Sequence, residues 1–128
     1  MSVFTSAIGH LAGVDTWHFV SYDQLSRDLL PGAESIGLIF VETSWKAKQL
    51  PYHKQKLALL LSNQRHFALE MQEAGYPVRY VFSKKEYGEV LAELCDELGE
   101  ITVTKPAELS LRRSIQPLVE AGQLRVLE

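Results

Sequence analysis

A doubly wound α/β domain, with a mainly parallel five-stranded sheet and helices on both faces, is the fold class this sequence predicts. Three observations lead there. Five short β-rich runs alternate with segments of helical period. Three glycines stand where helices should stop, each shortly before a strand. And 128 residues with 46% hydrophobic content suffice for one core and no second. Regular alternation favours parallel neighbours, because a right-handed crossover helix returns the chain in the same direction.

Residues 1–16 read as an N-terminal extension, either a short helix with Phe4, Ile8 and Leu11 on one stripe or a loose tail. Strands are expected at Trp17–Tyr22, Ile36–Glu42, Val78–Phe82, Ile101–Thr104 and Leu124–Leu127, so the domain proper spans 17–128. The first crossover, Asp23 to Leu30, is short and ends at Pro31-Gly32. A long helix from about His53 to Ala74 carries Leu57, Leu60, Leu61, Ala68 and Met71 on one face, with Gln64 the only polar residue of that stripe. Tyr87, Val90, Leu91, Leu94 and Leu98 have the spacing of a second helix, and Ser83 with Glu86 reads as a capping box at its start. Gly75, Gly99 and Gly122 are the stop signals, since glycine takes the left-handed conformation cheaply.

Composition narrows the function. Cys95 is the only cysteine, so this chain alone makes no internal disulfide, four-cysteine zinc site or iron–sulfur cluster, and a reducing, cytoplasmic setting is expected. No Lys or Arg precedes Arg27, which disfavours a signal peptide, and the longest aliphatic run, Leu57 to Leu61, is too short for a membrane span. A net charge of −3 argues against nucleic-acid binding by the domain itself. The charge is uneven: Lys46, Lys48, Lys54, Lys56 and Arg65 run without an intervening acid, which reads first as a solvated helix face and second as an anion site.

Familiar catalytic signatures are missing, among them G-x-G-x-x-G, the Walker loop, G-x-S-x-G and H-E-x-x-H. His10, His18, His53 and His66 are too scattered for a metal site and read as helix-end or surface residues, while Cys95 reads as a small core residue. No catalytic or metal-ligating residue is assigned. The better clue is positional, because doubly wound sheets bind ligands at the carboxyl ends of their strands, where strand order reverses. Tyr22-Asp23-Gln24, Glu42-Thr43-Ser44 and Lys105-Pro106 all follow strands. Asp23 equally suits a helix cap and Glu42 a polar strand end, so position leaves both readings open.

Asp23-Gln24-Leu25-Ser26 after a first strand, Glu42 ending the second, the stretch from Tyr52 to Arg65-His66-Phe67, Gly75 to Tyr80 and the turn from Thr104 to Glu108 together carry a resemblance. From Trp17 to Glu128 the chain resembles the photolyase-related proteins of the bacterial cryptochrome/photolyase superfamily. The resemblance implies a Rossmann-like N-terminal antenna domain. In relatives it precedes a helical domain that holds FAD and an iron–sulfur cluster and repairs ultraviolet photoproducts in DNA. DNA and a helical FAD domain would thus be partners only through a region this chain does not contain. The resemblance also implies a lumazine- or flavin-type antenna chromophore, with Asp23, Gln24, Glu42 and Leu60 at matching positions. Two departures stand out: Tyr22 replaces a family glycine and Lys46 replaces an acid.

The leading expectation is a non-catalytic antenna or accessory domain related to light-driven DNA repair or blue-light signalling. The alternative is a small nucleotide-binding α/β protein that uses Lys105 and the basic helix start for phosphates. A purely structural interaction module is the third reading.

Overall fold

The computed structural model describes residues 14, 16–22, 24–26, 30, 36–43, 54–106 and 109–127. Five strands and three helices occur among them: β1 Thr16–Phe19, β2 Ile36–Thr43, α1 Lys54–Glu73, β3 Val78–Ser83, α2 Tyr87–Leu98, β4 Ile101–Thr104, α3 Leu109–Glu120 and β5 Leu124–Leu127. The sheet has the order β3-β2-β1-β4-β5 and every neighbouring pair is parallel. This is the Rossmann-like arrangement expected.

Strand order explains where the helices lie. The step from β2 to β3 moves toward one sheet edge, whereas β3 to β4 and β4 to β5 move toward the other. A right-handed crossover therefore puts α1 on one face and α2 with α3 on the opposite one. The side chains divide accordingly, since alternate strand residues point to opposite faces. Trp17, Phe19, Ile39, Val41, Ile101, Val103 and Leu124 pack with Tyr87, Val90, Leu91 and Leu94 of α2 and Leu111, Ile115 and Leu118 of α3. Val20, Leu38, Phe40, Val78 and Tyr80 pack with Phe67, Ala68 and Met71 of α1. β2 is buried along almost its whole length, as expected for a strand covered on both sides.

The helix stops behave as predicted. Gly75, Gly99 and Gly122 have φ of 103°, 86° and 76°, and the Gly99 N–H bonds back to the Cys95 carbonyl. The capping box does not form. Ser83 is the last residue of β3, and its hydroxyl accepts the Lys85 N–H at 3.0 Å, while Glu86 is the N-cap and makes no side-chain cap bond. Ser83 lies three residues before the N-cap, too early for its hydroxyl to reach the free N–H groups of α2. β1 is also shorter than expected at its carboxyl end. After the Val20 N–H bonds Ile39 the chain turns, with the Gln24 N–H on the Ser21 carbonyl. His18 corrects a third expectation, being buried in β1 rather than placed at a helix end or on the surface. Cys95 is a core residue, its thiol 3.4 Å from the Gln123 carbonyl, and burial pushes its pKa up. Asp23, Lys46, His10, His53 and the expected extension, apart from Val14 and Thr16, lie outside the described residues.

One close contact sets the spacing of α2 against α3. A Cβ added at Gly88 would fall 2.2 Å from the Ser114 carbonyl oxygen, and the Gly88 N–H already donates to the Ser114 hydroxyl at 2.9 Å. Gly88→Ala must therefore push the two helices apart. A loss of about 1–3 kcal/mol is expected, read as a lower denaturation midpoint at unchanged slope.

Candidate functional site

Strand order reverses between β1 and β4, so the crevice beyond their carboxyl ends is the position that this topology offers a ligand. Gln24 occupies it. Its side chain reaches back from the turn after β1, and Nε2 donates to the Thr104 carbonyl at 3.2 Å and the Lys105 carbonyl at 2.9 Å. One amide thus ties the ends of the two strands together. Those two donations fix the amide's orientation, since only its NH2 end donates. Its Oε1 is then buried without a hydrogen-bond partner among the described residues. A buried acceptor left unmade is costly and marks a place where a donor would be stabilised.

Glu42, at the end of β2, has a different environment. Its Oε1 accepts from Arg65 Nε at 2.8 Å and from the Tyr80 hydroxyl at 2.8 Å, and its Oε2 accepts from Arg65 Nη2 at 2.5 Å. Gln64 completes the chain of bonds, with Nε2 donating to the Val41 carbonyl at 3.1 Å and to the Tyr80 oxygen at 3.0 Å. Phe82 extends the cluster, its ring 5.7 Å from the Arg65 guanidinium. The hydrogen bond to Glu42 raises the Arg65 pKa, so the guanidinium stays charged, and burial raises that of Tyr80, which stays a phenol. This cluster fastens α1 to β2 and β3. It supplies no free base, and a ligand reaching Glu42 would have to share the carboxylate with Arg65.

The remaining expected residues lie apart. Leu60 is partly buried and packs against the cluster of the α2 and α3 side, although α1 covers the opposite face. It reaches there because the start of α1 stands at the carboxyl edge of the sheet. Lys105 meets Gln24 only through its backbone carbonyl. Its side chain is exposed and lines a groove beside α3. The structure therefore joins Gln24 to Lys105 through the main chain and leaves Glu42 in a separate network. Sequence reasoning did not assign Arg65, Tyr80 and Gln64 to one site. One signal was available: Gln64 was the lone polar residue on an apolar stripe, and a buried amide needs partners.

Among the described residues no three His, Cys, Asp or Glu side chains are grouped to hold a metal ion, and no helix is long and apolar enough to cross a membrane. The family described as deoxyribodipyrimidine photo-lyase-related protein matches residues 18–128. A protein named (6-4) photolyase from Agrobacterium fabrum (strain C58 / ATCC 33970) is 28% identical over 96 residues. That alignment covers 70% of this chain and 19% of the relative, so the chain spans about a fifth of the curated protein it matches.

Proposed function

This chain belongs to the deoxyribodipyrimidine photo-lyase-related protein family, and from that premise we propose that it serves as a non-catalytic antenna-type domain for a lumazine- or flavin-type chromophore. The observation that carries the reading is the Gln24 amide, anchored at the topological switch point with its oxygen buried and unmatched among the described residues. Lumazines and flavins both carry an imide N–H, the kind of donor that this acceptor lacks. Gln24 fits such a ring through that oxygen, whereas Leu60 is assigned to it by the family resemblance and not by a contact with Gln24. Glu42 fits less well because Arg65 and Tyr80 already occupy it.

When bound, the heterocycle would absorb near-ultraviolet or blue light and pass the excitation on. The chain's own residues would bind it, orient it and keep it rigid, with no proton to move. Light-driven DNA repair, FAD and an iron–sulfur cluster enter this proposal only through a longer protein in which this domain is one part. The coding sequence beyond Glu128 tests that link, and a long helical region in frame is the result expected.

Retention of a chromophore tests the antenna reading. The protein, purified alone or incubated with lumazines and flavins, is expected to carry near-ultraviolet or blue absorbance through gel filtration. Gln24→Leu and Leu60→Trp are each expected to remove that absorbance while the melt stays cooperative. No retained absorbance from the unsubstituted protein under any of these conditions overturns the antenna reading. Salt-sensitive binding of an adenine nucleotide in calorimetry would favour the nucleotide-binding alternative.

A further inference from the structure

The phenol of Tyr80 is held in a way that fastening α1 to the sheet does not require. Its ring is buried in the α1-side core and stacks on Phe40, with 5.9 Å between centroids and 15° between planes. On β3 itself the Phe82 ring lies 5.1 Å from it. Tyr80 is 6% exposed and Phe82 48%, so the aromatic contact runs from the core to the surface. The Tyr80 hydroxyl donates to Glu42 Oε1 at 2.8 Å and accepts from Gln64 Nε2 at 3.0 Å. A proton acceptor and a hydrogen-bond donor thus face one phenol oxygen. Burial raises the Tyr80 pKa, so at neutral pH the phenol keeps its proton, and loss of an electron alone would leave a buried cation. Oxidation is therefore favoured only when the proton leaves with the electron. Glu42 is placed for that proton. Once Oε1 holds it, Arg65 Nη2 still donates to Oε2 at 2.5 Å and Gln64 still donates to the Tyr80 oxygen, so no partner has to move.

We infer that Tyr80 is a one-electron donor site, oxidised by a photoexcited flavin or lumazine that meets the protein from solution at Phe82. The O–H bond of Tyr80 breaks, one electron passes to the excited heterocycle, which becomes its one-electron-reduced form, and the proton passes to Glu42 Oε1, where a new O–H bond forms. The product on the protein is a neutral phenoxyl radical. Return of the electron and the proton restores both partners. A phenyl ring is much harder to oxidise than a phenol, so Phe40 and Phe82 leave the radical on Tyr80. Phe82, with the Arg65 guanidinium 5.7 Å from its ring, offers a planar oxidant an exposed aromatic face to stack on. The site is separate from the switch-point crevice, since Gln24 bonds the Thr104 and Lys105 carbonyls and none of these residues.

Riboflavin free in solution is the probe. After a laser flash the protein is expected to give the electron paramagnetic resonance and violet absorbance of a neutral phenoxyl, at a rate that buffer concentration and pH do not change across the neutral range, because the proton acceptor is internal. Tyr80→Phe, which keeps the ring, is expected to remove most of that signal. Glu42→Gln can accept the hydrogen bond but not the proton, so the rate is expected to fall about tenfold or more and to become dependent on buffer base. Should either variant fail to fold, Phe82→Leu at an exposed position is expected to slow the reaction several-fold. An undiminished signal from folded Tyr80→Phe, a buffer-dependent rate in the unsubstituted protein, or unchanged rates in folded Glu42→Gln or Phe82→Leu would each overturn the assignment. Gln24→Leu is expected to leave the radical yield unchanged, whereas loss of the radical in that variant would put the oxidant in the crevice and overturn entry at Phe82. Chromophore retention through gel filtration is read separately, so the two proposals fail separately.

Discussion

Replacing Tyr22 by glycine is expected to cost about 3–5 kcal/mol, the range for removing a buried aromatic side chain, and to lower the melting temperature by about 10–20 °C. The resemblance to photolyase-related proteins implies a glycine at this position, and on that reading Tyr22→Gly opens space for a chromophore. In the structure Tyr22 is part of the core. Its ring packs with Tyr87 at 6.2 Å between centroids, in the same cluster as Phe19 and Val41. Deleting it leaves a cavity between the end of β1 and the start of α2, and glycine adds backbone freedom to the unfolded chain. A melt in excess lumazine or flavin separates stability from affinity. If the vacated space takes the ring, the ligand restores part of the lost stability, because binding only the folded state shifts the equilibrium. A melting temperature within about 3 °C of the unsubstituted protein would show that Tyr22 is not a packing residue.

The second large effect is a loss of stability on acidification, traceable to His18. This residue sits in β1 opposite Thr102 of β4, with Nδ1 2.8 Å from the Thr102 hydroxyl oxygen. Nδ1 and the Thr102 hydroxyl share this hydrogen bond, and the hydroxyl oxygen also lies 3.4 Å from the Trp17 carbonyl, so the ring is held by buried neutral partners. Burial lowers the His18 pKa from 6.5 to about 4. Between those values the unfolded chain binds a proton that the folded chain refuses. Stability is therefore full above pH 6.5, falls by about 1.4 kcal/mol per unit on acidification, and has lost about 3 kcal/mol by pH 4. Denaturant titrations at pH 7.5 and 4.5 check this, with His18→Gln as control. The glutamine variant should be less stable at neutral pH but should lose less between the two values. Parallel pH profiles for the two proteins would remove His18 as the cause.

How far these residues could be read in advance depends on the distance over which their partners act. β4 and β5 lie where β-rich runs between helix stops put them, and the three glycines were legible because a left-handed residue after a helix is a local requirement. The stripe of α2 was equally legible, since a 3.6-residue period needs no knowledge of what the helix packs against. The capping box was misplaced because a boundary wrong by a few residues changes which hydroxyl reaches which N–H.

The candidate site divides in the same way. Strand and helix alternation implied a parallel sheet and pointed to its carboxyl edge, where Gln24 and Glu42 lie, and the physical reason is that backbone periodicity and right-handed crossovers act within one β-α-β unit. Which side chains meet across that edge was a tertiary decision. Gln24 bonds carbonyls about 80 positions away, Arg65 takes Glu42 from another element, and His18 and Tyr22 are buried because β4 and α2 pack against them. Such contacts join residues that no short window contains together, and hydrogen-bond geometry changes over tenths of an ångström. For that reason the edge could be found from the residues alone, while the partners of Gln24, Glu42 and His18 emerged only when the sheet had closed around them.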